Sequence, residues 1–272
     1  MSHSITLGAS ARLVAACAIA CGCLWAATRP VQQFQAKELL LAGYATGLSE
    51  RTPGQAHNAS LAASSLNGSV IPPGGDFSFN HTVKSWTHER GYVKAPVSYE
   101  GELIKAYGGG VCQASTTLYN AALLAGLGIP ERHPHVMAPH YVLAGRDAAV
   151  AQYDVDLRLH NPYPFPVRIE SVSNDATLSV RIYGSGNPHQ TIRLETQRIA
   201  TVQPQHLTRV MSVTHGSDHR PYVRNPGMIG CRVMTYRIFC QNGKEVKREF
   251  LGDDSYAAMD RVVQDFEVPP GI

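Results

Sequence analysis

Charged residues, tryptophan and long apolar runs are all scarce in this 272-residue chain. Charged residues make up 17% of it and tryptophan occurs twice, whereas hydrophobic residues make up 44%. That hydrophobic fraction excludes wholesale disorder, and the length is enough for a sizeable core in one or two domains. The formal net charge of +3 is small, and the basic residues are scattered along the chain. We therefore expect no nucleic-acid partner.

The longest apolar run lies near the N-terminus. Leu13–Ala27 is an uncharged run of 15 residues flanked by arginines. It is short for a membrane span but fits the apolar region of a signal peptide. We predict that residues 1–30 are a signal peptide or an uncleaved N-terminal anchor. The protein is then exported to the cell envelope, and contacts a membrane only through this segment.

Three of the six cysteines lie in that segment, so Cys112, Cys231 and Cys240 remain in the predicted exported part. The run between Cys231 and Cys240 alternates like a strand. A disulfide between them would join neighbouring strands in an oxidising compartment, but one continuous strand would hold the two sulfurs too far apart. Both alternatives stay open here. A disulfide would leave Cys112 unpaired, and a free thiol in an exported protein points to chemistry.

The first half of the chain predicts a mixture of helices and strands. Val31–Ser49 is rich in helix formers, and Asn58–Leu66 fits a short helix. Gln113–Leu127 carries apolar residues at helical spacing and predicts a buried helix. Asp76–Asn80 alternates like a strand.

From Val136 onward the pattern changes to short strands separated by turns. The predicted strands are His140–Ala144, Ala148–Val155, Leu157–His160, Val167–Ser171, Leu178–Tyr183, Thr191–Ile199, Thr208–Val213, Arg232–Gln241 and Lys244–Phe250, with Gln241-Asn242-Gly243 as the last turn. The predicted fold class is α+β, with helices packed on an antiparallel sheet, followed by a small all-β module. The predicted domains are residues 31–185 and 189–268.

The most informative motif is the glycine loop, Gly108-Gly109-Gly110, which delivers Cys112 to the start of the predicted buried helix. Glycines let a ligand approach the backbone closely, and free amides at a helix start lower the pKa of a thiol. Cys112 is therefore a candidate nucleophile. The alternative is a small buried residue packed beneath a tight turn.

A thiol nucleophile needs a histidine to take its proton and often a carboxylate or amide to orient that histidine. His135 and Asp147 follow Cys112 in the chain order of papain-like cysteine hydrolases and transferases. In this hypothesis Cys112 attacks, His135 is the base and Asp147 orients it. Gln113, or the amides of the glycine loop, would stabilise an oxyanion.

Other residues are candidates for substrate contact. Arg132 and Arg146 would clamp a carboxylate or phosphate, although such arginines more often pair with nearby aspartates. Several aromatic residues either line a sugar-binding groove or lie in the core: Trp86, Tyr92, Tyr107, Tyr119 and Tyr141. The predicted substrate-binding residues are Gly109, Gly110, Ser115, Thr116, Arg132 and Tyr141.

A competing interpretation takes three histidines as zinc ligands. His133, His135 and His140 would act with Asp147 or Cys112. Their spacing matches no strong ligand pattern, and a proline interrupts the strand that would align them. We therefore predict no metal ion and no cofactor.

The segment from about Tyr44 to Glu170 resembles the VanW family, named after an accessory protein of a vancomycin-resistance cluster. The residues that carry the resemblance are Asn58, Leu66-Asn67-Gly68, Pro73-Gly74, Phe77-Ser78-Phe79-Asn80, Gly91-Tyr92, Gly108 to Asn120, Arg132, His135, Tyr141, Gly145, Asp147-Ala148 and Asp156-Leu157. Val136 and Leu143 depart from the family pattern, which has serine and proline there.

The segment from about Thr191 to Phe266 is similar to G5 domains, small β-modules that accompany VanW domains and are associated with cell-surface sugars such as N-acetylglucosamine. The residues that carry this likeness are Asn225-Pro-Gly-Met-Ile-Gly230, Tyr236-Arg237 and Asn242-Gly243-Lys244. Together the two resemblances imply a bacterial cell-envelope protein linked to peptidoglycan.

Three functions stay open at this point. The first is a cysteine-dependent hydrolase or transferase that acts on peptidoglycan or its precursors through Cys112. The second is a non-catalytic module that binds a cell-surface glycan, with the glycine loop only packing or contacting sugar. The third is a metal-dependent hydrolase.

Overall fold

The structure is a computed structural model that describes residues 38–99, 102–186, 190–212 and 221–267. The described residues belong to one compact unit, Glu38–Ile272. The predicted export segment, residues 1–30, lies outside the described residues. Within the described ranges, no helix is long and apolar enough to cross a membrane.

The helices are α1 (Pro53–Leu66), α2 (Phe79–Val83) and α3 (Val111–Leu124), with a 3-10 turn at His88–Arg90. The strands are β1 (Leu39–Gly47), β2 (Val70–Ile71), β3 (Asp76–Ser78), β4 (Lys94–Tyr99), β5 (Glu102–Tyr107), β6 (Gly128–Glu131), β7 (Arg158–His160), β8 (Val167–Ser173), β9 (Thr177–Gly184), β10 (Thr191–Val202), β11 (His206–Ser212), β12 (Tyr222–Asn225), β13 (Gly230–Gln241), β14 (Lys244–Tyr256) and β15 (Arg261–Glu267).

Most of these strands pair antiparallel. The main sheet has the order β1-β9-β8-β2, β3-β7-β6 forms a second sheet, and β4 and β5 form a hairpin. In the C-terminal strands, which we define as β10 to β15, the order is β10-β13-β14 in one sheet and β11-β15-β12 in the other. The pair β11 and β15 is parallel. The predicted α+β class with a following all-β part is confirmed, while the predicted division near residues 185–189 stays a prediction.

Helix α3 lies in the main core, between α1 and the main sheet. Its side chains are buried almost all round, and Leu118 and Leu123 are fully enclosed. A helix that is buried on all sides disfavours charged side chains, and this one has none; its buried polar side chains are hydrogen-bonded. The predicted buried helix is confirmed, with its start at Val111.

Helix α1 confirms the predicted helix over Asn58–Leu66 and begins earlier, at Pro53. Thr52 Oγ1 accepts the Gln55 N–H at 3.4 Å, and Gln55 Oε1 accepts the Thr52 N–H at 3.2 Å. This capping box, together with proline in the first turn, defines where the helix starts.

The predicted helix over Val31–Ser49 is wrong where the structure describes it. Leu39–Gly47 is strand β1, antiparallel to β9 at one edge of the main sheet. Helix propensity is a weak preference that pairing and burial override. Burial alternates at the end of this strand: Thr46 and Leu48 are buried on either side of exposed Gly47.

Three further strand predictions need correction. The strand over Asp76–Asn80 ends at Ser78, whose Oγ accepts a backbone N–H of the next turn at 3.0 Å and starts helix α2.

The segments His140–Ala144 and Ala148–Val155 are loop with isolated β-bridges. There, side chains satisfy backbone groups in place of a ladder: Asn80 Nδ2 donates to two loop carbonyls at 2.8 and 3.0 Å.

The predicted strands from Leu157 onward are confirmed, although several run longer than expected. The turn between β13 and β14 is also confirmed. Asn242 and Gly243 have φ angles of 52° and 75°, as a type I′ hairpin turn requires.

Of the two alternatives left open for Cys231 and Cys240, the structure has the one without a disulfide. Cys231 and Cys240 are both free thiols on the single strand β13. A continuous strand of that length separates them by about 30 Å, whereas a disulfide needs Cα atoms within about 7 Å.

Candidate functional site

The glycine loop is shaped by close packing against its neighbours. Gly110 has a φ of 110°, and a Cβ atom there would lie 2.1 Å from the Gln55 carbonyl oxygen of α1. A Cβ at Gly109 would lie 2.6 Å from the Pro96 carbonyl oxygen. The space in front of both glycines is therefore filled by protein. The structure makes Gly109 and Gly110 packing residues rather than the predicted substrate contacts.

This packing places Cys112 in the first turn of α3. Its thiol donates a hydrogen bond to the Val150 carbonyl oxygen, with Sγ 3.4 Å from that oxygen, and interacts with the imidazole of His135. Burial opposes ionisation of the thiol, but the hydrogen bond and positive charge of His135 outweigh it, so the pKa of Cys112 is lowered. The local environment is one that favours a thiolate.

His135 is held on its other side by Asp147. Its Nδ1 lies 2.6 Å from Asp147 Oδ2, which also accepts the His135 backbone N–H at 2.7 Å. Because Nδ1 is used in this way, Nε2 is the ring nitrogen left for Cys112. Burial disfavours the imidazolium, but the bonds to Asp147 and Cys112 prevail and raise the pKa of His135 to about 10.

Asp147 itself is fully buried. Burial would raise its pKa, but the contact with His135 and the charge of Arg132 lower it. The structure brings Cys112, His135 and Asp147 together, with His135 hydrogen-bonded to Asp147 and interacting with the Cys112 thiol. The set pairs a thiol with an imidazole that a carboxylate orients, which is the arrangement that activates a cysteine nucleophile.

Arg132 supports Asp147 instead of facing a ligand. Its Nη2 lies 3.0 Å from Asp147 Oδ1, and its Nη1 lies 2.7 Å from each carboxylate oxygen of Asp254. The Arg132 side chain is only 10% exposed. Its predicted role as a substrate clamp is therefore replaced by the alternative role, pairing with aspartates.

The C-terminal strands complete this arrangement. Tyr256, the last residue of β14, donates its hydroxyl hydrogen to Asp147 Oδ1 and accepts the Gly145 N–H at 2.8 Å. Asp254, on the same strand, holds Arg132. No sequence signal links Asp254 or Tyr256 to the site, because more than a hundred residues separate them from Asp147.

Ser115 and Thr116 fasten helix α3 to the loop that carries Asp147. Ser115 Oγ donates to the Ala148 carbonyl oxygen at 2.6 Å, and Thr116 Oγ1 accepts the Ala148 N–H at 3.0 Å. Both side chains are fully buried. They position the site from inside the fold and are not available for the predicted contact with substrate.

Gln113 is also directed into the fold. It is fully buried, and its Nε2 donates to Thr46 Oγ1 at 3.0 Å and to the Gly47 carbonyl oxygen at 2.6 Å. These bonds attach α3 to β1, so the side chain is not free to stabilise an oxyanion. The other predicted donors are the amides of the glycine loop. The sequence does not single out the Cys112 N–H, which makes no turn hydrogen bond among the described residues, unlike the amides on either side of it.

Tyr141 is also a predicted substrate-binding residue, and its hydroxyl lies near the Cys112 thiol. Its hydroxyl is hydrogen-bonded to Thr116, and burial, followed by the charge of Cys112, raises its pKa. The guanidinium carbon of Arg51 lies 5.2 Å from the centroid of its ring. Sequence reasoning missed Arg51, since it stands alone in a polar segment before α1.

The remaining candidates lie apart from this set. His133 pairs with Glu131 at 3.0 Å, and the described residues hold no group of three or more His, Cys, Asp or Glu that could bind a metal ion. Arg146 donates to Asn120 at 2.9 Å. Two of the five aromatic residues considered above for a sugar-binding groove are core residues and cannot line one: Tyr92 and Tyr119.

A family model described as VanW like protein matches residues 54–183. Residues 54–183 form a VanW-like domain. The matched range includes Cys112, His135 and Asp147, whereas Asp254 and Tyr256 lie beyond it.

Two curated relatives match a similar part of the chain. A protein of Bacillus subtilis (strain 168) named uncharacterized protein YoaR is 37% identical over 145 residues, which cover 53% of this chain and 48% of that protein. The vancomycin B-type resistance protein VanW of Enterococcus faecalis (strain ATCC 700802 / V583) is 27% identical over 151 residues, which cover 54% of this chain and 55% of that protein. The chain thus spans about half the length of each of these relatives.

Two solved G5 structures are similar to a shorter part of the chain. A G5 domain of IgA1 protease is 24% identical with a TM-score of 0.20, covering 29% of this chain and 92% of that domain. The structure HP0197-G5 is 13% identical with a TM-score of 0.15, covering 28% of this chain and 96% of that structure.

Proposed function

We propose that this protein is a cysteine-dependent hydrolase or transferase of the bacterial cell envelope, with Cys112 as nucleophile, His135 as base and Asp147 as the residue that orients the base. The single observation that carries this proposal is that the Cys112 thiol interacts with an imidazole, His135, that buried Asp147 holds by hydrogen bonds. The lowered pKa of the thiol and the raised pKa of the imidazole both favour the thiolate–imidazolium pair.

The chemistry follows from the positions of these groups. The Cys112 thiolate attacks a carbonyl carbon, and the Cys112 backbone N–H is the candidate donor to the oxyanion that forms. The bond from carbon to the leaving amine then breaks as the His135 imidazolium gives that amine its proton. The resulting thioester is attacked by water, which gives hydrolysis, or by a second amine, which gives transfer. His135 takes the proton of that incoming group, and the thiol is released.

The proposed substrate is peptidoglycan or a peptidoglycan precursor. Support comes from the VanW-like domain, from a relative named for vancomycin resistance, and from the apolar N-terminal segment expected to direct export. We extend the proposal to the C-terminal strands, whose expected partner is a cell-surface glycan.

The proposal is tested with the full chain and soluble peptidoglycan fragments. We expect new products with the wild-type protein, a covalent adduct on Cys112 by peptide mass spectrometry, and neither with Cys112→Ala. His135→Ala should lose the adduct, and Cys240→Ala is the matched control that keeps it. Equal turnover by wild type and Cys112→Ala would refute the cysteine mechanism. Binding of fragments by both, without turnover or adduct, would favour the non-catalytic glycan-binding alternative.

A further inference from the structure

Arg51 differs from the other two arginines near the site, because its guanidinium has no hydrogen-bond partner among the described residues. Arg132 is held by Asp147 and Asp254, and Arg146 donates to Asn120. Arg51 forms no ion pair and no side-chain hydrogen bond in the described part of the chain, and its Nε is buried without a partner. We propose that Arg51 binds a carboxylate of the substrate beside Cys112. This inference rests on the proposed function and names a chemical feature of its substrate.

The guanidinium is held in place by its surroundings. Its carbon lies 5.2 Å from the centroid of the Tyr141 ring, in cation–π contact. Tyr141 is in turn bonded to Thr116 of α3. The Arg51 backbone N–H donates to the Leu48 carbonyl oxygen at 2.9 Å, and the next residue caps helix α1. A cation fixed from several sides is suited to recognition, because little freedom is lost when it binds.

The charge of Arg51 acts on the reacting group. Burial lowers the pKa of Arg51, and the negative charge of the Cys112 thiolate opposes this effect. A carboxylate bound by Arg51 would therefore lie next to the attacking thiolate. A partly buried donor without a partner is costly, and a carboxylate would supply the acceptor that the fold does not.

The open space next to Arg51 is consistent with a ligand there. Arg51 lines a cleft of about 530 Å³ together with residues that include Ser49, His57 and Ser60. Asp175 also lines the cleft but forms no ion pair with Arg51. A substrate carboxylate can thus approach Arg51 without displacing a protein carboxylate. The two arginines predicted from sequence as clamps are used inside the fold, and Arg51 takes over that function in this proposal.

The test compares two alkylating reagents that differ in charge. Iodoacetate carries a carboxylate next to the reacting carbon, whereas iodoacetamide is neutral. Peptide mass spectrometry on the full chain gives the rate constant at Cys112 for each reagent. The ratio of the two rate constants reports the cationic subsite, and the iodoacetamide rate alone reports the nucleophile.

We expect Arg51→Gln to lower the iodoacetate to iodoacetamide ratio about fivefold to tenfold, the effect of removing one nearby charge in a partly buried site. Arg51→Lys should restore most of the ratio, which also controls for misfolding of Arg51→Gln. The matched control is Arg181→Gln, an exposed arginine of β9 that pairs with Glu170, and it should leave the ratio unchanged.

The outcomes separate this inference from the proposed function. If Cys112 is activated towards iodoacetamide in every variant but the ratio is the same in wild type and Arg51→Gln, the carboxylate subsite is refuted and the nucleophile stands. If Cys112 reacts with iodoacetamide like an ordinary thiol in the wild type, the proposed function fails first.

Discussion

Tyr256 is the residue through which the C-terminal strands reach the Cys–His–Asp set, and Tyr256→Phe removes that connection with little change in shape. The hydroxyl donates to Asp147 and accepts the Gly145 N–H at 2.8 Å. Phenylalanine keeps the ring that packs with Cys231 and Val233, so the substitution isolates two hydrogen bonds.

The expected cost is worked from those two bonds. A hydrogen bond to a charged acceptor contributes about 2 kcal/mol, and a buried N–H left without a partner costs about 1 to 3 kcal/mol. We expect the free energy of unfolding to fall by about 3 kcal/mol. Asp147 keeps its bonds from His135 and Arg132, so the site should be weakened rather than lost.

Urea unfolding of the full chain measures the stability, and alkylation of Cys112 as a function of pH measures the effect on the site. Without the Tyr256 hydroxyl, the pKa of Asp147 should rise, because that bond helps to lower it. Asp147 stays ionised over the pH range of the assay, and without the competing hydroxyl it holds the His135 imidazolium more strongly, so the pKa of Cys112 should fall.

Tyr236→Phe is the matched control, since the Tyr236 hydroxyl makes only a weak contact of 3.6 Å with a methionine sulfur. It should change the stability by less than about 0.5 kcal/mol. If Tyr256→Phe is no more destabilised than Tyr236→Phe and its alkylation profile matches the wild type, the inferred connection between the C-terminal strands and the site is incorrect.

Three further predictions concern other parts of the site. Gly110→Ala should lower the free energy of unfolding by about 3 kcal/mol or prevent folding, because its Cβ would lie 2.1 Å from a carbonyl oxygen. Gly74 is also at positive φ but has open space around it. In the same urea unfolding assay, Gly74→Ala should therefore lower the free energy of unfolding by only about 1 kcal/mol. Gln113→Ala should lower stability by about 2 kcal/mol through the lost bonds to β1 yet leave the alkylation rate of Cys112 unchanged, and a large fall in that rate would assign Gln113 to the reaction after all. In Cys112→Ala, the pKa of His135 loses the contributions of Cys112 but keeps those of Asp147, so we expect it to stay raised by a smaller amount, with no thiol to offset it. Its stabilisation is then complete below about pH 6.5 and declines as the pH rises through the folded pKa. Chemical denaturation across this range should show the decline in Cys112→Ala but not in the variant that also carries His135→Ala.

Local patterns predicted several elements correctly for physical reasons that the structure makes plain. The helix that follows Cys112 is marked by apolar residues at every helical spacing, because α3 is buried on all sides. The turn at Asn242-Gly243 is marked by residues that accept positive φ. Strand β1 was beyond such reasoning, because its helix-forming residues become a strand only through pairing with the distant β9.

The candidate site, like the fold, could be predicted only in part from the sequence. Cys112, His135 and Asp147 are identified by residue type and chain order, since nucleophile chemistry restricts which side chains can serve. The residues around them are not restricted in this way. Asp254 and Tyr256 reach Asp147 only through the packing of β14, and Arg51 is distinguished only by lacking a partner.

The measurement that tests the central claim most directly is the pH dependence of iodoacetamide alkylation at Cys112, in the full chain and in His135→Ala. Peptide mass spectrometry resolves Cys112 from Cys240, which serves as the internal reference. The account predicts a Cys112 that reacts well below the ordinary thiol pKa of about 8.5 and loses this property when His135 is removed. A thiol that titrates like an ordinary cysteine and is indifferent to His135 would contradict the account.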